Sequence, residues 1–149
     1  MTSNQTAALL ASLSLLALAP AAQARNTEVH LPIKDVLEDP AAKAKLGDDV
    51  ALLFGTQAGP AGSKDLGEAV SNRKTNAFAK SDEEACRWAM LSVLLQLVQR
   101  ARDLGGDAVV EIVSYYKKNS VASETEYECH AGGLMAGVAL KGRVVKLAK

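Results

Sequence analysis

The chemistry open to this chain is concentrated in a few side chains: Cys86 and Cys129, His30 and His130, and the glutamates beside the second histidine, Glu126 and Glu128. Two thiols can close a disulfide, stay free as nucleophiles, or share a metal ion. Metal binding through sulfur favours closely spaced thiols such as a CxxC pair, and the chain has none. In an oxidising compartment a lone pair of cysteines favours the bridge. The run TEYECHA, Thr125 to Ala131, alternates as a half-buried strand does. Thr125, Tyr127, Cys129 and Ala131 then share the inner face, and Glu126, Glu128 and His130 share the outer one. Carboxylates beside an imidazole are donors that zinc, copper or nickel accept. Glu126, Glu128 and His130, with His30 from the start of the chain, are therefore the candidate metal or small-ligand edge, against the plainer reading of a solvated histidine.

A catalytic set is harder to assemble. Neighbouring strand residues point to opposite faces, so Cys129 and His130 do not make a thiolate pair. Ser81 opens the run S-D-E-E, a capping box that accounts for its hydroxyl. Gly59, Gly62, Ser63 and Lys64 hint at a phosphate loop, but the GxxxxGK[ST] spacing is absent and Asp65 puts a negative charge where phosphate would lie. The expectation is a non-enzymatic chain with no catalytic residue and no bound cofactor.

These side chains need elements to hold them. From Asp82 to Leu104 the residues Cys86, Met90, Val93, Leu94, Leu97, Ala101 and Leu104 recur at helical spacing, and Gly105-Gly106 ends the run. Trp88, Leu91, Leu95 and Val98 widen the apolar arc beyond what one sheet contact covers. That flank requires a second cover, either the segment Ile33 to Leu46 or another protomer. Within that segment Asp39 should cap a short helix that begins at Pro40. Arg25 to Leu31 reads as an extended lead-in, Val50 to Phe54 as a short strand, Gly55 to Gly67 as a loop, and Glu68 to Lys74 as a strand. Asp107 to Tyr116 reads as another strand, with Ala108, Val110 and Ile112 toward the helix. Gly132-Gly133 allows a bend before LMAGVALKG, and Val144 to Leu147 adds an apolar tail. The fold expected is α+β: one long helix across a mostly antiparallel sheet of about four strands, preceded by short helical turns.

Met1 to Ala24 carries no charged side chain. Its apolar run, Ala7 to Ala19, has the length of a signal-peptide core and falls short of the roughly 20 residues that span a bilayer. Pro20 follows, and Ala22-Gln23-Ala24 offers the small residues a signal peptidase reads, which places cleavage between Ala24 and Arg25. A lipoprotein would need a cysteine just after the apolar run, and the nearest is Cys86. Residues 25–149 are then a single periplasmic domain with no stable membrane anchor after cleavage. The 17 basic and 17 acidic residues leave a formal net charge of zero, which argues against nucleic acid as a partner. The basic residues Arg73, Lys74, Lys80 and Arg87 read either as a surface for an acidic partner or as solvated charge. The partner expected is an envelope protein or a second copy of the chain.

Three runs, VSNRKTNAF, SDEEACRWA and YECHAG, are similar to those of an uncharacterised exported bacterial family whose members often carry the label excinuclease ATPase subunit. The chain lacks the P-loops and zinc sites a nucleotide-driven repair protein needs. Its C-terminal half, through ARDLGGDAVV and through Cys129 placed before Gly137-Val138-Ala139-Leu140, resembles both the sensor domain of the Rcs envelope-stress lipoprotein and YbjQ-like domains, often called heavy-metal-binding. The resemblance covers roughly Leu66 to Gly142. It implies a bridge between Cys86 and Cys129 and a role in sensing or binding within the envelope. The lipid anchor, proline-rich stalk and second disulfide of the Rcs sensor are not found in this sequence.

Overall fold

The computed structural model describes residues 24–149, so the expected signal segment lies outside the described residues save for Ala24. The described elements run β1 (Thr27–Pro32), α1 (Ile33–Leu37), α2 (Pro40–Leu46), β2 (Ala51–Phe54), β3 (Lys64–Asn76), α3 (Asp82–Asp103), β4 (Ala108–Ser114), a 3-10 turn (Tyr116–Lys118), β5 (Glu126–Ala131) and β6 (Met135–Lys146). The class is α+β, with six strands where about four were expected. The lead-in is a full strand, and β3 begins at Lys64, inside the expected loop.

β6 is the spine of the sheet. Along one edge it pairs antiparallel with β3, from Lys64 opposite Lys146 to Asn76 opposite Met135. Its other edge is shared: β5 takes the start, with His130 opposite Gly137, and β4 takes the end, from Ser114 opposite Leu140 to Ala108 opposite Val145. β1 lies outside β5, and β2 lies parallel outside β4, the one parallel pairing in the described sheet. The apolar tail at Val144 is thus the last part of β6.

Helix α3 lies across this sheet, and its ends are where the sequence places them. Ser81 Oγ accepts the Glu84 N–H at 3.1 Å, three acids fill the first turn, and Arg100 and Arg102 sit in the last. Gly105 adopts φ +74° past the helix end. Next to it, a Cβ on Gly106 would overlap Val144, so the chain can enter β4 only with glycine here. Ala85, Cys86, Ala89, Met90, Val93 and Leu94 are fully buried, packing in one core with Ala69, Val109, Ile112, Tyr127, Val138 and Leu140 from the sheet. The Cys86–Cys129 disulfide joins the first turns of α3 to β5 inside this core, with the two Cα atoms 5.9 Å apart.

The wide flank of α3 is covered by α1 and α2, which bring Ile33, Val36, Ala42 and Leu46 into the core. Asp39 Oδ1 accepts the Ala42 N–H at 2.8 Å, with Pro40 in the first helical position. The cover is incomplete: Leu91 and Val98 are buried, while Trp88 stays 48% exposed, with the Lys45 ammonium 5.4 Å from its ring.

One facing expectation is overturned. Val109 turns to α3 together with Ile112, while Ala108 and Val110 pack on the opposite face with Val145, Leu53 and Leu147. The cause is a bulge between Val110 and Val113, where Glu111 adopts φ +51° and shifts the alternation by one. Glu111 is held there from both ends. Its N–H donates to the Gln57 carbonyl at 2.9 Å, and its carboxylate accepts from Arg143 at 2.7 Å. β4 also stops at Ser114, which frees Tyr116 for the turn that follows.

Candidate functional site

Both histidines of the chain follow a glutamate by two residues, in Glu28-Val29-His30 and in Glu128-Cys129-His130. In an extended strand such residues lie on one face. The antiparallel register of β1 on β5 sets Glu28 opposite His130 and His30 opposite Glu128, so the two short motifs make a four-residue grid. Between them, Val29, Leu31, Tyr127 and Cys129 point the other way and join the core.

Within each motif the carboxylate meets its imidazole. His30 Nε2 lies 2.9 Å from Glu28 Oε1, and His130 Nε2 lies 2.5 Å from Glu128 Oε1. The two halves differ in exposure: the side chains of His30 and Glu28 are 45% and 55% exposed, those of His130 and Glu128 only 10% and 9%. The outward facing of Glu128 and His130 was foreseen, but they were expected on an exposed edge and are instead largely buried. The Tyr116 ring stacks on the His130 ring with centroids 3.4 Å apart and planes 15° from parallel. Lys117 and Lys118, both at positive φ, fold the 3-10 turn tightly enough to lay Tyr116 there. Ser114 Oγ accepts the Glu128 N–H at 3.0 Å, tying β5 to the end of β4.

One donor atom from each of Glu28, Glu128 and His130 lies within 4.8 Å of the others. His30 is the fourth group, already bonded to Glu28. Two carboxylates this close repel unless a cation sits between them, whether imidazolium or metal. Carboxylate oxygen and imidazole nitrogen bind zinc near 2 Å, a closure that the long glutamate side chains can make by rotamer change. The buried half is preset, because the disulfide holds Cys129 between Glu128 and His130. His130 Nδ1 is buried with no hydrogen-bond partner among the described residues.

Of the expected set, the fold brings together His30, Glu128 and His130 and leaves out Glu126. Glu126 lies on the same face of β5, but opposite Pro32 at the far end of the pair, exposed, with its N–H bonded to Ser123 Oγ. Glu28 takes its place. The signal for it was the repeated Glu-x-His, which gains meaning only once β1 pairs with β5.

The other candidates resolve structurally. Both thiols are consumed in the bridge, so no cysteine is available as a nucleophile or ligand. Ser63 Oγ donates to the Pro60 carbonyl at 2.7 Å and accepts the Ala148 N–H, which makes it a turn residue. The basic residues do not converge: Arg87 lines the groove beside Trp88, while Lys74 lines an open basin with Arg25, Tyr116 and His130. Among the described residues, no helix is long and apolar enough to cross a membrane. No protein-family description, curated protein or solved structure matches this chain.

Proposed function

We propose that the chain is an exported, non-catalytic domain of the bacterial periplasm that binds a divalent transition-metal ion through Glu28, Glu128 and His130, with His30 completing the set. The convergence of three donor atoms within 4.8 Å on two register-locked strands carries this reading. Export is supported by the uncharged apolar run at Ala7 to Ala19, by Ala22-Gln23-Ala24, and by a disulfide, which suits an oxidising compartment. The ion neutralises the paired carboxylates and draws the exposed half of the grid onto the buried half.

Calorimetry with zinc, copper and nickel tests it. Saturable binding of one ion per chain is expected, weakened more than roughly tenfold in His130→Asn and in Glu128→Gln. Absence of saturable heat, or equal affinity in both variants, would sink the metal reading. Mass spectrometry of protein recovered from periplasm tests the address separately, with Arg25 expected at the mature N-terminus.

A second reading, an envelope domain that senses a partner protein, rests on the half-exposed Trp88. It lines a groove of about 290 Å³ with Val36, Ala42, Lys45, Arg87 and Leu91. Tryptophan beside arginine is the composition that interface hot spots favour. Cross-linking from position 88 in intact cells should capture one discrete envelope protein, and its absence would leave the groove without a partner.

A further inference from the structure

Three strands of the described sheet have a free edge, and they are not alike. β1 has six residues and ends in Pro32, and β2 has four, broken by a bulge between Leu52 and Phe54. β3 has thirteen residues and pairs only with β6, so its outer edge presents a long row of main-chain donors and acceptors. An edge of this length is a template for another strand, and its charges decide which.

Past Lys64, its first residue, the charges of β3 are segregated. Asp65 and Glu68 lie in its first half, Arg73 and Lys74 in its second. Ala69 and Ser71 face α3 and are buried, whereas Glu68, Val70, Asn72 and Lys74 lie on the opposite face and are exposed, Val70 to 52%. Neither Glu68 nor Lys74 has an ion-pair partner among the described residues.

We infer that two copies of this chain pair antiparallel through their β3 edges, about a two-fold axis at Ser71. A two-fold perpendicular to the sheet keeps each face continuous with its own kind. Ser71 then lies opposite itself, Val70 opposite Asn72, and Glu68 opposite Lys74, the last two pairings occurring twice. Opposite charges directly across a strand pair are favourable, and like charges are not. Parallel stacking of β3 would set acid on acid and base on base. A one-residue slip would set the α3 side of one copy beside the bare face of the other, and a two-residue slip would lose both ion pairs. The contact is self-complementary and closes at two copies, so it does not propagate into fibres. Beside the edge, Gln96, Gln99, Arg100 and Asp103 of α3 line a polar groove that would form the rim of the joined surface.

Sedimentation velocity on the chain purified from an exporting host tests this. A concentration-dependent monomer–dimer equilibrium is expected, weakening with added salt. Glu68→Lys and Lys74→Glu should each weaken it by roughly tenfold or more, since each change replaces both attractions with repulsions. The double variant, with the charges exchanged, should recover most of the loss. Both sites are exposed, and unchanged circular dichroism confirms that the fold persists. A monomer at hundreds of micromolar, or a dimer indifferent to either single change, or a double variant as weak as the singles, would overturn the inference. Lys74 shares an open basin with His130, whereas Glu68 does not, so a dimer weakened in Glu68→Lys with metal binding unchanged keeps this inference separate from the metal reading.

Discussion

Helix α3 is held on two sides by different means. Toward the sheet it meets a dry core: Leu94 and Val93 are fully buried, and a disulfide ties the helix to β5. Toward α1 and α2 the seam is shallower. Trp88 is half open, and the seam is closed at its far end by Arg102, whose guanidinium forks onto Asp49 at 2.6 and 2.8 Å and caps α2 through the Leu46 carbonyl at 2.9 Å. The first attachment has no way to open short of unfolding. The second rests on surface charge and partial burial, so it is the side on which α3 can part from its cover.

The largest expected effect tests the first attachment. Replacing Cys86 and Cys129 together with alanine releases a closure over 43 residues of sequence separation, for which chain entropy predicts a loss of about 4 kcal/mol. Urea unfolding measures it, and hydrogen exchange should quicken in β1 and β5 before it does in α1 and α2. If α1 and α2 loosen first, the bridge is not what distinguishes the two sides.

A pair of truncations sharpens the contrast. Leu94→Ala, in the dry core, should cost about 3 to 4 kcal/mol, because a fully enclosed site collapses poorly around the cavity. Leu46→Ala, on the flank and 6% exposed, should cost about 2 kcal/mol, since α2 can settle inward. Equal costs by thermal unfolding would mean that the flank is as tightly packed as the core.

Tyr127 sits where the two sides meet. It is 1% exposed, its hydroxyl has no partner among the described residues, and Arg87 and Asp35 both act on it electrostatically. Burial pushes its ionisation well above the ordinary tyrosine value of 10. Stability from keeping it neutral is therefore full below about pH 10, where the unfolded tyrosine begins to ionise, and is lost as pH rises toward the folded value. Tyr127→Phe removes an unsatisfied buried hydroxyl, so it should be neutral or stabilising by about 1 kcal/mol and should flatten the alkaline slope. A loss of more than that would reveal a partner for the hydroxyl.

What could be read from the sequence divides along local and non-local lines. The boundaries of α3, the Asp39-Pro40 start of α2 and the inward facing of Cys129 follow from caps, turn residues and alternation within a few residues. The bulge at Glu111 was hidden because no glycine marks it, and its support comes from Gln57 and Arg143 far away in the chain. Three of the four grid residues were legible, Glu128 and His130 in Glu128-Cys129-His130 and His30 as a candidate from the lead-in. Glu28 was not, because its place depends on the β1–β5 register, which a hundred intervening residues determine. Tyr116 read as the end of a strand, and only the strained turn at Lys117 and Lys118 sets it on His130.

The smallest effect reaches the flank alone. The hydrogen bond from Arg102 holds the Asp49 carboxyl below its ordinary value. A depressed carboxyl contributes stability that is present above its unfolded value, near pH 3.9, and is lost as pH falls through the lower folded value. Both groups are exposed, so solvent screens the pair and salt weakens it further. Acid should therefore loosen the α2 seam while the bridged side stays closed. Trp88 is the chain's one tryptophan and lines the groove between α2 and α3, which makes its fluorescence a direct reporter. Asp49→Asn and Arg102→Ala should each remove the same acid-dependent step in that signal, and combining them should remove no more. If Arg25→Ala, which breaks the Asp82 pair at the other end of α3, abolishes the step instead, the helix is being released from its N-terminus and the flank is not the side that opens first.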